Sequence, residues 1–205
     1  MSIPGIFGAD PSDPDASPAD PFALMAQWLP SPADQVTPLM TLATIGLDGY
    51  PDARTVLLSG FDGARLRFHT EARSRKAAEL AATPRATAVL VWPDAARQLV
   101  VTGDVEAEAP AEASAAYAER SRALQLLAWL NTDELAARPV AERRAAWAAF
   151  DAAHPEEPLA PPETWAGYTI APSRVAFWRG DAEGPSNRLV FTRDDTGWAL
   201  VRRAG

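Results

Sequence analysis

The sequence predicts a mainly β protein with added helices (α+β), built as a small closed or split barrel. Five short runs rich in apolar and β-branched residues lie between residues 39 and 107, and tight turns join most of them. Two alanine-rich helical stretches follow, and further strand-like runs close the chain. Because tightly joined neighbours pair in antiparallel fashion, this order favours a barrel with peripheral helices over a doubly wound sheet.

The composition indicates one soluble domain without disulfides or a metal centre. A chain of 205 residues with 47% hydrophobic content forms one substantial core, and no run reaches the ~20 apolar residues of a membrane span. Cysteine is absent, and His69 and His154 stand apart without a ligand motif, so no metal is expected. The net charge of −8 disfavours nucleic acid as a partner. No secretory signal is recognised, which makes the cytoplasm the expected location.

The first ordered element is expected near residue 20. Residues 1–19 are rich in Pro, Asp and Ser and are predicted to be a disordered tail, which leaves 20–205 as the folded domain. Asp20 and Pro21 are typical of a helix start. The run Leu39–Ile45 then predicts a buried strand, followed by a hairpin turn around Gly49.

The segment from Arg54 to Lys76 predicts an anion site. Strands are expected at Arg54–Leu58 and Ala64–Thr70, with a turn between them and a helix that opens at Ser74. A helix start offers free N–H groups and a positive dipole end, and Lys76 is the only lysine of the chain. Phosphate is the anion expected there. The alternative is a solvated basic helix start without a ligand, and charge alone does not decide between the two.

The rest of the chain alternates strands and helices. Ala86–Trp92 and Gln98–Ala107 have strand character, whereas Pro110–Asn131 and Val140–Ala153 are each predicted to form one helix. The closing strands are expected at Tyr168–Ile170, Arg174–Trp178, Arg188–Thr192 and Trp198–Val201.

Taken in order, several motifs resemble the pyridoxamine 5'-phosphate oxidase family from about residue 20 to the C-terminus. The motifs are Arg54-Thr55-Val56-Leu57-Leu58, Phe68-His69-Thr70, Ser74-Arg75-Lys76-Ala77, Pro84-Arg85, Arg97-Gln98, Phe177-Trp178 and Arg188. The resemblance implies an FMN-binding split β-barrel with peripheral helices and a homodimer that holds FMN between its subunits. It also implies flavin chemistry, in which a C–H hydride passes to the cofactor and oxygen reoxidises it, so no acid–base pair is expected and no catalytic residue is assigned.

The resemblance assigns flavin contacts position by position. The expected phosphate ligands are Arg54, Thr70, Ser74, Arg75 and Lys76. Val56 and Leu57 fall beside the isoalloxazine ring, and His69 stands where the family has an aromatic residue. The contacts expected from the partner subunit are Gln98, Trp178 and Arg188. Without the resemblance, Trp178 would be interpreted as a core tryptophan and Gln98 as a solvated strand edge.

The expected substrate contacts depart from the family pattern. Ser59 replaces a phosphate-binding lysine, Ala116 and Leu124 replace a tyrosine and a serine, and only Arg120 is kept. Ser186 lies where the family has an Arg-x-His motif. One arginine in place of four donors would leave a phosphate dianion poorly compensated.

The sequence therefore predicts an FMN-dependent oxidase acting on a small aromatic or heterocyclic substrate, similar to the phenazine-biosynthesis branch of the superfamily. Two alternatives remain open: an authentic pyridoxine/pyridoxamine 5'-phosphate oxidase of vitamin B6 metabolism, and a flavin-binding protein without turnover. Related split barrels bind the deazaflavin F420, so the sequence leaves the choice between it and FMN open.

Overall fold

A computed structural model describes residues 18–30, 36–156 and 158–205. The first 17 residues of the predicted tail lie outside the described part. Helix α1 spans Pro21–Trp28 and begins as predicted, because Asp20 Oδ1 accepts from the N–H groups of Phe22 at 2.8 Å and Ala23 at 3.2 Å. Its buried face covers the barrel core.

Nine strands form one curled antiparallel sheet among the described residues. They are β1 Leu39–Ile45, β2 Pro51–Leu57, β3 Gly60–Phe61, β4 Leu66–Glu71, β5 Arg85–Trp92, β6 Arg97–Ala107, β7 Trp165–Arg179, β8 Asn187–Asp194 and β9 Gly197–Ala204. The order is β2-β1-β5-β6-β7-β4-β3, with β8 and β9 added beside β7. The predicted mainly β, split-barrel architecture is confirmed.

Strand β7 is the strand at which the sheet divides. Along one edge it pairs with β6, while its other edge pairs first with β4 and then with β8. The prediction of two separate strands here was wrong, because β7 continues through Pro172. The partner opposite Pro172 is Gly103, next to a register irregularity, and a Cβ on Gly103 would collide with the backbone of Ala171. A glycine thus allows the close approach that keeps the strand continuous.

Five further α-helices follow among the described residues. They are α2 Arg75–Ala82, α3 Pro110–Ala118, α4 Arg122–Leu130, α5 Asp133–Ala136 and α6 Val140–Ala153. The predicted single helix over Pro110–Asn131 was wrong, and the short α5 was not predicted. Tyr117 and Leu126 are both buried in one cluster, yet at nine residues apart they would face opposite sides of a straight helix. The break between α3 and α4 brings both to the same side, where Tyr117 Oη donates to Gln125 O at 3.0 Å.

The core divides into two apolar clusters. The larger lies inside the curled sheet and under α1, and includes Met40, Phe68 and Phe177. The smaller joins Tyr117, Leu126 and Leu159 beneath the helices. No helix in the described part of the chain is long and apolar enough to cross a membrane.

Candidate functional site

Residues assigned to the predicted anion site lie close together where β4 leads into α2. Lys76 Nζ donates to Thr70 Oγ1 at 3.1 Å, and Ser74 is the N-cap residue of α2. Ser74 makes no capping bond through its side chain, and its Oγ is buried without a hydrogen-bond partner among the described residues. The intrahelical bonds begin at Ala77, whose N–H donates to Ser74 O, so the N–H groups of Arg75 and Lys76 precede them.

The charges around Lys76 favour an anionic guest. Burial, and then the nearby Arg54 cation, lower the pKa of Lys76, while Glu71 and Glu79 act in the opposite direction. A phosphate dianion would relieve the repulsion between the two cations and accept from the orphaned Ser74 hydroxyl. The residues present therefore fit the phosphate group of a flavin mononucleotide.

A buried carboxylate holds the two arginines of this site. The Glu79 side chain is fully buried and accepts from Thr44 Oγ1 at 2.6 Å, Arg54 Nη2 at 2.7 Å and Arg75 Nε at 2.8 Å. Asp52 adds contacts to the same two guanidinium groups at 3.0 and 3.1 Å. Burial would raise the pKa of Glu79, but the three hydrogen bonds outweigh it and hold the pKa at about 2. The carboxylate thus orients both arginines. Arg54 is held further by Nη1, which donates to Leu42 O at 3.3 Å and to Thr44 Oγ1 at 2.5 Å.

A small cavity of about 150 Å³ adjoins the anion site. Its walls include Val56 and Leu57 from β2, and Thr70, which accepts from Lys76. Trp165 forms another part of the wall. The structure thus connects the residues assigned to the isoalloxazine ring with those assigned to the phosphate, through Thr70.

A larger cavity of about 700 Å³ contains four of the positions assigned to substrate. Ser59, Ala116, Arg120 and Leu124 all line it, although they come from distant parts of the sequence. His69, Arg120 and Leu124 line both cavities, so the two adjoin. A group bound at one cavity would therefore lie next to a group bound in the other.

The charge and surroundings of Arg120 favour an anion in this larger cavity. Among the described residues that line it, Arg120 is the sole lysine or arginine. Its guanidinium lies 4.7 Å from the centre of the Trp165 ring, and its Nε is buried without a hydrogen-bond partner in the described chain. Burial lowers the pKa of Arg120, and the nearby Tyr117 acts in the opposite direction.

His69 lies at the junction of the cavities between two oxygen-bearing side chains. Its Nδ1 is 2.8 Å from Ser59 Oγ, and its Nε2 is 3.0 Å from Glu108 Oε2, although the latter contact lacks hydrogen-bond geometry. The ring stacks on Trp165 with centroids 5.1 Å apart. Burial, followed by the Arg120 and Arg67 cations, lowers the pKa of His69 to about 4, and burial raises the pKa of Glu108. His69 is therefore neutral at pH 7.

The residues assigned to the partner subunit form a separate group. Gln98 pairs with Trp178, and Trp178 pairs with Arg188, so the three stand in one row across β6, β7 and β8. Directly opposed residues of an antiparallel sheet share a face. None of the three lines either cavity described above, and Ser186, whose carbonyl accepts from Gly205 N–H, lies beside this row and not with Ser59.

Sequence reasoning missed three residues of this site. Glu79 received no role from the sequence, yet it contacts both arginines. Glu108 follows a strand end without any motif, and Trp165 precedes the first predicted closing strand. A carboxylate at i+4 from Arg75 was the one local signal that could have identified Glu79.

The chain matches known protein families. Residues 35–174 match the family model described as pyridoxamine 5'-phosphate oxidase, and residues 165–204 match a pyridoxine 5'-phosphate oxidase C-terminal dimerisation region. A pyridoxine/pyridoxamine 5'-phosphate oxidase of Caulobacter vibrioides is 36% identical over 218 residues and covers 97% of each chain. Another from Thermosynechococcus vestitus is 37% identical over 186 residues, covering 89% of this chain and 88% of the relative.

Solved structures share the fold. PhzG from Burkholderia lata 383, determined in complex with tetrahydrophenazine-1-carboxylic acid, has a TM-score of 0.82 at 24% identity, covering 97% of this chain and 100% of that one. A pyridoxamine 5'-phosphate oxidase-related, FMN binding protein from Nostoc punctiforme has a TM-score of 0.68 at 23% identity, with coverages of 92% and 98%.

Proposed function

Because the chain belongs to the pyridoxamine 5'-phosphate oxidase family, we propose that it is an FMN-dependent oxidase of a small aromatic or heterocyclic compound. Family membership makes FMN its cofactor. When bound, FMN supplies a hydride acceptor that oxygen reoxidises. The protein's own residues supply binding, orientation and the exclusion of water.

The observation that carries this proposal is the lining of the larger cavity. Its volume of about 700 Å³ suits a ring-sized molecule, and Arg120 offers one cation to an anionic group on it. A phosphate dianion would need more charge-assisted donors than one arginine provides. A substrate with a single carboxylate is better matched to this donor set.

Within the site, each group has a defined task. Arg54, Ser74 and Lys76 bind the flavin phosphate, and Val56 and Leu57 lie against its ring system. The stacked rings of His69 and Trp165 form an aromatic wall that keeps water away from the junction of the two cavities.

The flavin is held between two subunits of a homodimer. The match of residues 165–204 to a dimerisation region supports this arrangement. The row of Gln98, Trp178 and Arg188 supports it too, because these side chains share one face and lie outside both cavities of their own subunit. They complete the flavin site of the partner.

A second candidate function is oxidation of vitamin B6 phosphates. It is favoured by the relatives that are 36–37% identical over most of the chain and are named pyridoxine/pyridoxamine 5'-phosphate oxidases. In that case Arg120 and groups from the partner subunit would have to compensate the phosphate.

Substrate oxidation by the FMN-loaded protein separates the candidates. Oxygen consumption is measured with pyridoxine 5'-phosphate, pyridoxamine 5'-phosphate and tetrahydrophenazine-1-carboxylic acid, the compound seen with PhzG. Efficiency with either B6 phosphate at or above ~10⁴ M⁻¹s⁻¹ would establish the second candidate. If no compound reduces the flavin, and photoreduced flavin is not reoxidised by air, the protein binds flavin without turnover.

Arg120→Ala tests the cation directly. Losing one charge-assisted contact of roughly 1.5–3 kcal/mol should raise KM about 10- to 100-fold for an anionic substrate. Arg138→Ala is the matched control, because Arg138 pairs with Glu134 on the exposed helical surface. An unchanged KM in Arg120→Ala would remove the argument from the cavity lining.

A further inference from the structure

Three side chains from separate parts of the chain connect the larger cavity to a buried carboxylate. Ser59 follows β2, His69 lies on β4 and Glu108 follows β6. The chain of contacts runs from Ser59 Oγ to His69 Nδ1 at 2.8 Å, and from His69 Nε2 to Glu108 Oε2 at 3.0 Å. Ser59 is open to the cavity, whereas the side chains of His69 and Glu108 are each 2% exposed.

The fold makes specific room for this carboxylate. His69 and Gly167 are direct partners in the β4–β7 ladder, and a Cβ on Gly167 would collide with Glu108 Oε2 and stand 3.0 Å from the His69 ring. Both Glu108 oxygens are buried without a hydrogen-bond partner among the described residues, and so is His69 Nε2. A buried carboxylate and a ring nitrogen that face each other without a bond are costly groups for a structural role alone.

We propose that Ser59, His69 and Glu108 form a proton relay that takes up the proton released from a hydroxyl or amine group of the substrate during oxidation. The inference rests on the proposed oxidase function and adds to it a route for the proton. The same relay makes Ser59 an acceptor toward the cavity, so the substrate presents an O–H or N–H donor at that point.

A substrate that carries H–C–O–H loses one proton and one hydride in this step. The O–H bond breaks and its proton passes to Ser59 Oγ, while the Ser59 proton passes to His69 Nδ1 and the His69 Nε2 proton passes to Glu108. The C–H hydrogen leaves with its electron pair to the flavin, which is the oxidant, and a C=O bond forms. His69 exchanges one neutral tautomer for the other, and Glu108 ends protonated.

The surrounding charges favour this route over a lasting imidazolium. Arg67 on β4 and Arg120 between α3 and α4 both oppose a positive ring at His69. Burial, assisted by Glu112 on α3, favours the protonated form of Glu108, while Arg67, at 3.7 Å, opposes it. The contact between Nε2 and Oε2 has the short distance but not yet the alignment of a hydrogen bond, and such contacts commonly tighten when a ligand binds.

The first test determines the tautomer of His69, and this measurement does not require substrate turnover. Long-range ¹H–¹⁵N NMR of the FMN-loaded full chain at pH 7 should show His69 protonated at Nε2 only. The chain has two histidines, so a His154→Gln variant assigns the signals. A proton on Nδ1, or a charged ring, would overturn the relay, because Nδ1 could not then accept from Ser59.

The second test uses anaerobic flavin reduction in a stopped-flow instrument. The probe is pyridoxine 5'-phosphate or tetrahydrophenazine-1-carboxylic acid, whichever reduces the unmodified protein faster. Glu108→Gln keeps the shape but cannot accept a proton, so it should slow reduction by roughly 100-fold or more with little change in the probe concentration for half saturation. Ser59→Ala should slow it similarly.

Glu106→Gln is the matched control. Glu106 lies two residues away on β6, is 60% exposed and pairs with Arg65 at the surface, so its removal should leave the rate unchanged. Equal reduction rates in Glu108→Gln and Glu106→Gln would overturn the relay while leaving the oxidase proposal intact. If no probe reduces the unmodified protein, the oxidase proposal fails with these probes, and the NMR result still decides whether the relay is set up.

Discussion

Replacing Glu79 by glutamine should destabilise the protein in a strongly pH-dependent way. The carboxylate is fully buried and accepts from Thr44, Arg54 and Arg75 at 2.6–2.8 Å. Its pKa falls from 4.5 to about 2 on folding, and one pKa unit corresponds to about 1.4 kcal/mol, so the ionised form contributes about 3 kcal/mol at pH 7. Glutamine keeps the volume but loses the charge.

The sign of the pH dependence follows from the lowered pKa. The contribution is complete well above pH 4.5, where the carboxylate is ionised in both states, and it is lost as the pH falls toward about 2. Proton linkage retains most of this contribution at pH 4 and less than half of it at pH 3. The difference in unfolding free energy between the unmodified protein and Glu79→Gln should shrink along this course.

Urea unfolding of the FMN-free protein at pH 7, 4 and 3 measures this difference without a contribution from ligand binding. Glu134→Gln is the control, because Glu134 is 81% exposed and its pair with Arg138 should contribute less than about 1 kcal/mol. A loss below about 1 kcal/mol at pH 7, or a difference that does not change with pH, would refute the view that Glu79 anchors the arginines as an ionised group.

Three further outcomes are expected. In fluorescence titrations, Lys76→Ala should weaken FMN binding by roughly 1.5–3 kcal/mol. Riboflavin binding should stay nearly unchanged, because riboflavin lacks the phosphate. Equal weakening of both ligands would mean that the lysine acts through folding. Mixed Arg54→Ala and Arg188→Ala subunits should recover one intact flavin site per heterodimer if the site is shared, and a fully loaded monomer would contradict this. Gly167→Ala should destabilise the protein by about 1–3 kcal/mol in thermal unfolding, since its Cβ collides with a buried carboxylate, whereas Gly60→Ala meets no atom within 4 Å and serves as the control.

The local geometry of the predicted anion site could be anticipated because its parts are close in sequence. Thr70, Ser74 and Lys76 fall within one strand-to-helix connection, so the local geometry alone brings them together. The start of α1 was also predictable from adjacent residues, because Asp20 and Pro21 alone indicate it. Local hydrogen bonding and backbone preference are properties of a few neighbouring residues, which explains why these interpretations agree with the structure.

The wrong predictions involve residues whose environment is set from a distance. A proline within a run signals a break, but Gly103 on the neighbouring strand lets β7 pass through Pro172. An alanine-rich run signals a continuous helix, but the burial of Tyr117 and Leu126 in one cluster requires the turn after α3. In both cases, packing between elements overrides the local preference.

The sequence alone was enough for the class of fold and for the strand-to-helix connection that brings Thr70, Ser74 and Lys76 together. The contacts of Glu79 with the arginines and of Glu108 with His69 became visible only in the folded chain. A carboxylate's role depends on whether water or protein surrounds it. Burial and long-range strand pairing determine that environment, and neither is a property of the residues adjacent in the chain.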